Sequence, residues 1–288
     1  MLKYLGRALL ALLYGGGVLS AVFLFLCAVG VLSPQVVADA LSISPRPQAA
    51  GQTVLSPAVE QAPPAPPERF RQVEPEELDQ VRAGEGVVLT MKAPDGQLGY
   101  ISALELAADC AASSGTAGRN EALYALNQRE GVYSVALVSC LRDDALVEHR
   151  PALALQRVSG SPWRDAQGGG WLNPASEEVQ AYLGGICAEL AGLGFDEIVL
   201  VDCAYPTEGA LACLKPYTDR AQTLEGFCRK LEEEMAQFPV KLSVVGCADY
   251  AQADSLSGQT AAVLASFPGR VWAREPEALG AFEAVALP

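Results

Sequence analysis

The stretch Trp171–Gly209, WLNPASEEVQAYLGGICAELAGLGFDEIVLVDCAYPTEG, decides the fold. Asn173 is placed to cap a helix, and Pro174 suits its first turn, where a missing N–H costs nothing. Val179, Tyr182, Leu183, Ile186, Leu190 and Leu193 recur at the three-and-four spacing of one buried helical face. Gly194 supplies a left-handed stop. Ile198–Val201 then reads as a strand buried on both faces, as in a parallel sheet, and it ends on Asp202 before the turn-forming run Tyr205–Gly209. Helix, short loop, buried strand and an acid at its carboxyl end make one unit of an α/β fold.

The same alternation extends in both directions. Upstream, a strand at Arg69–Val73 and a short helix at Pro75–Val81 precede a strand at Gly86–Lys92, a helix at Gly118–Arg129 and a strand at Val132–Cys140. Downstream come a helix over Thr218–Phe238, a strand at Val240–Gly246, a helix at Gly258–Phe267, a strand at Arg270–Arg274 and a last short pair before Pro288. Repeated βα units predict parallel strands with right-handed crossovers, hence a (β/α) barrel of TIM type. Six strands and a candidate seventh fall short of the eight that usually take ~250 residues, so the barrel is expected to be shortened or incomplete.

The opening stretch resembles a bacterial family described as glycoside hydrolases with a TIM-barrel-like domain, whose pattern runs roughly WxDP…EVxxYxxxIAxEAxxLGFDEIQFDYVRFP. Trp171, Pro174, Glu178, Val179, Tyr182, the run Leu193–Ile198 and Pro206 match it in register. Val87–Lys92 with Gly96 and Tyr100 is similar to the family's VVIDVKDxxGxxxY. Val135 through Asp143, then Trp163-Arg164-Asp165, resembles its IARIxxFKD…LWRD. The resemblance covers most of Gly86–Gly209 and implies hydrolysis or binding of cell-envelope or environmental polysaccharide, with carbohydrate as partner. It also exposes departures. The family's strand-end aspartate falls on Val201 and its following arginine on Ala204, while the aspartate of VVIDVKD falls on Thr90 and the arginine of IARI on Leu137. Lys92, Asp143, Trp163, Arg164 and Asp165 are retained.

Glycoside hydrolysis needs two carboxyl groups flanking the scissile bond, one to donate a proton and one to attack the sugar or activate water. Acids stand at the carboxyl ends of the predicted strands: Asp95, Asp143 with Asp144, Asp202 and Asp249, with Glu208 and Glu275 in loops on the same side. Asp202, Asp143 and Glu208 are the candidate catalytic groups, and Lys92, Asp95, Trp163, Arg164, Asp165, Trp171, Tyr205 and Asp249 the candidate substrate-binding ones. Acids at strand ends also cap helices and solvate loops. Tryptophan at a barrel mouth can stack on a sugar ring or simply anchor a loop. Side chains alternate along a strand, so an inward Val201 would turn Asp202 toward the surrounding helices unless a bulge intervenes. That orientation predicts weakened catalysis.

Other chemistries find little material. His149, the sole histidine, reads as a surface residue, so neither a histidine-rich metal site nor a Ser-His-Asp triad is expected. No CxxC pair occurs, and Cys140, Cys187, Cys203 and Cys247 read as small buried apolar residues. No phosphate-binding glycine motif is present, and no cofactor is expected.

The first 67 residues differ from the rest. Lys3 and Arg7 precede the uncharged run Ala8–Leu32, long enough to cross a bilayer, and predict a signal anchor over 1–33 with its start inside. A cleaved signal peptide, with Ala38-Asp39-Ala40 as its site, is the alternative. Residues 34–67 carry Pro34, Pro45, Pro47, Pro57, Pro63, Pro64, Pro66 and Pro67 among Ala, Gln and Ser, the composition of an extended tether. Residues 68–288 are then one domain outside the cytoplasm. The chain's formal net charge is −14, its acidity sits in this domain, and that argues against nucleic acid and anionic lipid as partners. Two function classes remain: a membrane-anchored glycoside hydrolase, and a weakened relative that binds glycan or a protein through the same barrel face. For the topology, protease added to intact cells is expected to remove the domain and leave a short membrane stub; a protected domain would overturn it.

Overall fold

The computed structural model describes residues 65–288, apart from 111, 114, 253, 254, 281 and 283, so the expected anchor and most of the tether lie outside the described residues. Among those described, no helix is long and apolar enough to cross a membrane. Seven strands form one sheet: β1 (Phe70–Gln72), β2 (Gly86–Lys92), β3 (Tyr133–Ser139), β4 (Glu197–Val201), β5 (Lys241–Val245), β6 (Val271–Ala273) and β7 (Ala284–Ala286). Each pairs with the next in parallel, in chain order. Among the described residues no pairing joins β7 to β1, so the expected barrel is a partial one. It still curls on itself: the Phe70 ring of β1 lies 4.9 Å, centroid to centroid, from the Trp272 ring of β6.

The pleat sorts alternate residues onto two faces. Val88, Tyr133, Val135, Val199 and Trp272 pack on the concave face, joined by Phe70, Leu137, Val245 and Leu287. Val87, Leu89, Ala136, Val138, Ile198, Leu200 and Val244 pack on the convex face against the helices. Those helices are α1 (Glu105–Asp109), α2 (Arg119–Asn127), α3 (Asp144–His149), α4 (Glu177–Gly192), α5 (Arg220–Met235) and α6 (Ala261–Ser266). The apolar stripe read from the sequence faces the sheet: Val179, Tyr182, Leu183, Ile186 and Leu190 of α4 are all buried.

The cap of α4 corrects the sequence expectation. Ser176, not Asn173, is the N-cap, accepting from the Val179 N–H, and the helix starts at Glu177. Asn173 Oδ1 instead accepts from the Ala175 N–H at 3.1 Å, a local turn that its short side chain favours over helix. Gly194 does take the left-handed conformation, with φ of 85°. The two short helices α1 and α3 were not foreseen.

The base of the partial barrel is polar and closed. Glu197, fully buried, accepts from Tyr133 Oη at 2.8 Å, Ser243 Oγ at 2.6 Å and Trp272 Nε1 at 2.8 Å. Its charged partner is Arg270, with Nη2 at 3.0 Å. Beside it Asp196 accepts from the Ser134 N–H at 2.7 Å and Ser134 Oγ at 3.2 Å, while burial pushes its carboxyl up to about 6.

A carboxyl whose folded value exceeds its unfolded value stabilises the fold fully below the unfolded value, near 4, and loses that contribution as pH rises through about 6. Asp196→Asn keeps an acceptor oxygen and cannot ionise. It is expected to gain about 1–3 kcal/mol on wild type between pH 4 and pH 7.5, read from urea midpoints of both proteins at each pH. A wild-type-minus-variant difference that stays constant with pH would refute the assignment.

Candidate active site

At the carboxyl ends of the strands the concave face opens into a cleft of about 580 Å³. Its walls carry the carboxylates of Asp165, Asp202, Glu208 and Glu275, the guanidinium groups of Arg142 and Arg274, and the rings of Trp171 and Tyr205. This is the end at which parallel barrels hold their chemistry, because the strand-to-helix loops converge there.

Asp202 reaches this cleft by a backbone route that the strand pattern does not display. Val201 lines the cleft as an inward residue, and strict alternation would aim its neighbour outward. Asp202 instead adopts φ of 53°, in the left-handed region that a non-glycine residue enters at a steric cost. That turn swings its carboxylate back into the cleft, where Oδ2 accepts from Ser139 Oγ at 3.1 Å. The ladder to β3 holds the strained residue in place: Cys140 N–H donates to the Val201 carbonyl at 2.7 Å and Leu141 N–H to the Asp202 carbonyl at 3.2 Å. The expectation that Asp202 faces the helices is corrected, and a single left-handed residue does what a bulge was invoked to do.

Asp143 has a different occupation from the catalytic one expected of it. It is buried, caps α3 by accepting from the Leu146 N–H at 2.8 Å, and pairs through Oδ2 with Lys92 Nζ at 2.9 Å. Lys92, buried as well, also donates to the carbonyls of Ser139 at 2.8 Å and Arg142 at 3.2 Å. The pair ties the end of β2 to the end of β3, and its atoms are spent on each other.

Trp163 is likewise withdrawn from the cleft. It is fully buried among Leu155, Tyr205 and Leu214, and its Nε1 donates to the Ala210 carbonyl at 3.1 Å, so no face is free for a sugar. Trp171 is the tryptophan on the cleft wall, half-buried, with its Nε1 donating to Asp165 Oδ2 at 3.0 Å. Asp165 Oδ2 also stands 3.4 Å from Arg142 Nε, and its Oδ1 accepts from the backbone N–H groups of Gln167 and Gly169. Tyr205 is held by its own N–H on the Ser257 carbonyl at 2.7 Å, with Arg220 5.3 Å over its ring.

Three further candidates lie off the cleft wall. Asp95 is exposed and accepts from the Gln97 N–H at 2.9 Å. Arg164 is exposed and donates to the Gly168 carbonyl at 2.9 Å. Asp249 organises its own loop, accepting from Ser255 Oγ, the Ser257 N–H and Ser257 Oγ at 3.1, 3.0 and 2.6 Å. Because Ser257 in turn receives Tyr205, Asp249 positions the loop after β4 from behind.

Arg142, Arg274 and Cys247 belong to the cleft and were not foreseen. Both arginines stand at strand ends, the signal by which the acids were found. Cys247 is half-buried; burial, then the charge of Asp249, pushes its thiol up to about 12, so it stays protonated and is no nucleophile. Among the described residues no group of His, Cys, Asp and Glu is arranged to hold a metal ion.

The model of the family described as "Putative glycosyl hydrolase domain" matches residues 76–267. The chain belongs to that family. No curated protein sequence matches it. Among solved structures, a hypothetical protein from Ruminiclostridium thermocellum ATCC 27405 is similar at 22% identity and a TM-score of 0.52, covering 61% of this chain and 95% of that one. The PgaB (BpsB) glycoside hydrolase domain from Bordetella bronchiseptica is similar at 16% identity and a TM-score of 0.51, covering 75% and 76%. At these identities the likeness is one of fold: a partial parallel barrel resembling those of glycoside hydrolases.

The Lys92–Asp143 geometry yields a stability expectation. Asp143→Ala removes a helix cap and strands a buried ammonium, and is expected to cost about 3–5 kcal/mol. Asp95→Ala, on an exposed turn, is expected to stay within roughly 0.5 kcal/mol. Urea unfolding of the two variants checks both, and equal losses would show that Asp143 is not the buried tie described.

Proposed function

We propose that this domain binds glycan chains in the cleft at its strand ends, that it hydrolyses them slowly, and that the turnover it retains runs through Asp202. The observation that carries this reading is the left-handed backbone at Asp202, which aims a hydrogen-bonded carboxylate into a cleft shared with Glu208, Glu275 and Trp171. A residue held in a sparsely populated conformation persists where surrounding structure enforces it, and such sites cluster at functional positions.

In the proposed chemistry Asp202, fixed by Ser139, acts as the carboxylate that attacks the anomeric carbon or activates water. Glu208, on the loop that follows, gives its proton to the departing glycosidic oxygen. Trp171 offers an apolar ring surface to a sugar face. Slow turnover follows from the floor. Thr90, Leu137, Val201 and Ala204, the positions at which the resembling family carries charge, offer no carboxylate and no cation to a developing oxocarbenium ion. The residues behind the cleft (Lys92, Asp143, Asp249) shape the wall and take no part in bond cleavage. The run Ala8–Leu32 supports a membrane-anchored, extracytoplasmic setting, in which the substrate is a cell-envelope or environmental polysaccharide.

The test pairs binding with turnover. Wild type and Asp202→Asn are compared on a panel of polysaccharides and muropeptide glycans by calorimetry and by release of reducing ends. Both proteins are expected to bind, and the variant to lose the slow turnover by roughly 10²-fold or more. Turnover unaltered in Asp202→Asn would remove Asp202 from the mechanism. Fast wild-type turnover would overturn the weakened floor, and absence of binding to every glycan would overturn the carbohydrate reading.

A further inference from the structure

A second cavity, of about 430 Å³, adjoins the cleft at the barrel mouth; Val201 and Arg274 line both. Each space falls in the size range of a ligand pocket. The two differ in charge. The first holds Asp165, Asp202, Glu208 and Glu275. The second has no Asp or Glu side chain in its wall; Gln72, Thr90 and Ser139 supply its polar groups, and Lys92 and Arg274 its cations.

Of the cations at this mouth, two are committed. Lys92 is consumed by Asp143 and two carbonyls, and Arg142 stands against Asp165. Arg274, exposed at the end of β6, forms no ion pair or side-chain hydrogen bond among the described residues, and its neighbour Glu275 does not close on it. In a chain of net charge −14, an unpaired guanidinium beside a cavity with no Asp or Glu in its wall is a site of opposite sign to its surroundings. A guanidinium presents its donors in a planar fork that matches a carboxylate two bonds at a time.

We propose that Arg274 recognises a carboxylate carried by a sugar unit in this second cavity, so that the glycan taken by the domain is an acidic one, spanning both cavities across Val201. The inference rests on the carbohydrate reading above and adds the substrate class to it. The charge division gives the substrate its direction. A carboxylated unit is repelled from the acid-lined cleft and drawn to Arg274, which leaves the next unit along the chain beside Asp202. Sugar carboxylates have two sources, uronic acids and the lactyl ether of muramic acid, and the chemistry at Arg274 is common to both.

The experiment measures binding of the full-length protein to oligouronates and to muramic-acid-containing glycan strands, each beside the same oligomer with its carboxyl groups reduced to alcohols. Wild type is expected to prefer the carboxylated form of at least one pair by about tenfold or more. Arg274→Gln is expected to abolish that preference, and Arg274→Lys, which keeps the charge and loses the fork, to retain part of it. A preference in one pair alone identifies the source of the carboxylate. Equal binding of both forms by wild type, or a preference undiminished in Arg274→Gln, overturns this inference while leaving the glycan-binding reading intact. Binding of neither form in either pair overturns this inference, and it overturns the carbohydrate reading too only if every glycan of the panel above also fails to bind.

Discussion

The buried Glu197 carboxylate is the constraint on which the rest of the concave face depends. A charge in the interior of a sheet is costly unless its attractions and hydrogen bonds are complete. Here they are supplied by Tyr133 from β3, Ser243 from β5 and Trp272 from β6, with Arg270 just ahead of β6. Arg270 itself lies over the rings of Phe70, Tyr133 and Trp272, at 5.5, 5.7 and 5.8 Å. One carboxylate thereby gathers β3 through β6 directly and β1 through Phe70. In a sheet whose first and last strands do not pair among the described residues, that polar knot helps to curl the sheet. Slipping any one strand by a residue would take its partner off the concave face and leave the charge short of a bond.

Val88, Val135, Val199 and Val245 share the concave face with this knot. The mouth is then fixed by a second buried charge pair, Lys92 with Asp143, and by Gln259, whose side chain bonds the Cys203 and Val245 carbonyls, each at 3.0 Å, and the Cys247 N–H at 2.7 Å. These ties hold the ends of β2 to β5 at set positions, so the strained backbone of Asp202 is carried by a rigid frame. Strain of this kind has to be over-determined by its neighbours to persist. The β3–β4 ladder on one side of Asp202 and Gln259 on the other do that.

Much of this architecture was legible in the sequence, for a definite reason. Strands with apolar residues on both faces, such as Val87–Met91 and Ile198–Leu200, stand out from the three-and-four spacing of α4 and α5. The helix ends are marked by Gly194 or by polar caps. The errors came where one residue type serves two purposes. Asp143 at a strand end looks the same whether it faces substrate or caps a helix, and the short α3 that it caps is too brief to announce itself by period. Trp163 and Trp171 flank the same glycine-rich loop, and only packing decides that the first is buried under Tyr205 and the second lines the cleft. Asn173 and Ser176 are both good caps; the chain used the later one. Arg274 and Arg142 stand at strand ends as the acids do, so their positions carry the same signal in the sequence.

The direction of Asp202 was beyond the pattern altogether, because alternation assumes an extended backbone and φ is the variable that breaks it. Here the inward position is Val201, and the acid enters one residue later, through a turn, with Ser139 as its partner. An acid presented by the turn leaves an apolar side chain on the floor where a charge would otherwise lie. That apolar floor is also the boundary between the two cavities, with Val201 common to both. The displacement of one carboxylate by one residue therefore does two things at once. It puts an apolar side chain at the inward position of β4, and it leaves the wall beyond Val201, where Arg274 stands, without an Asp or Glu side chain.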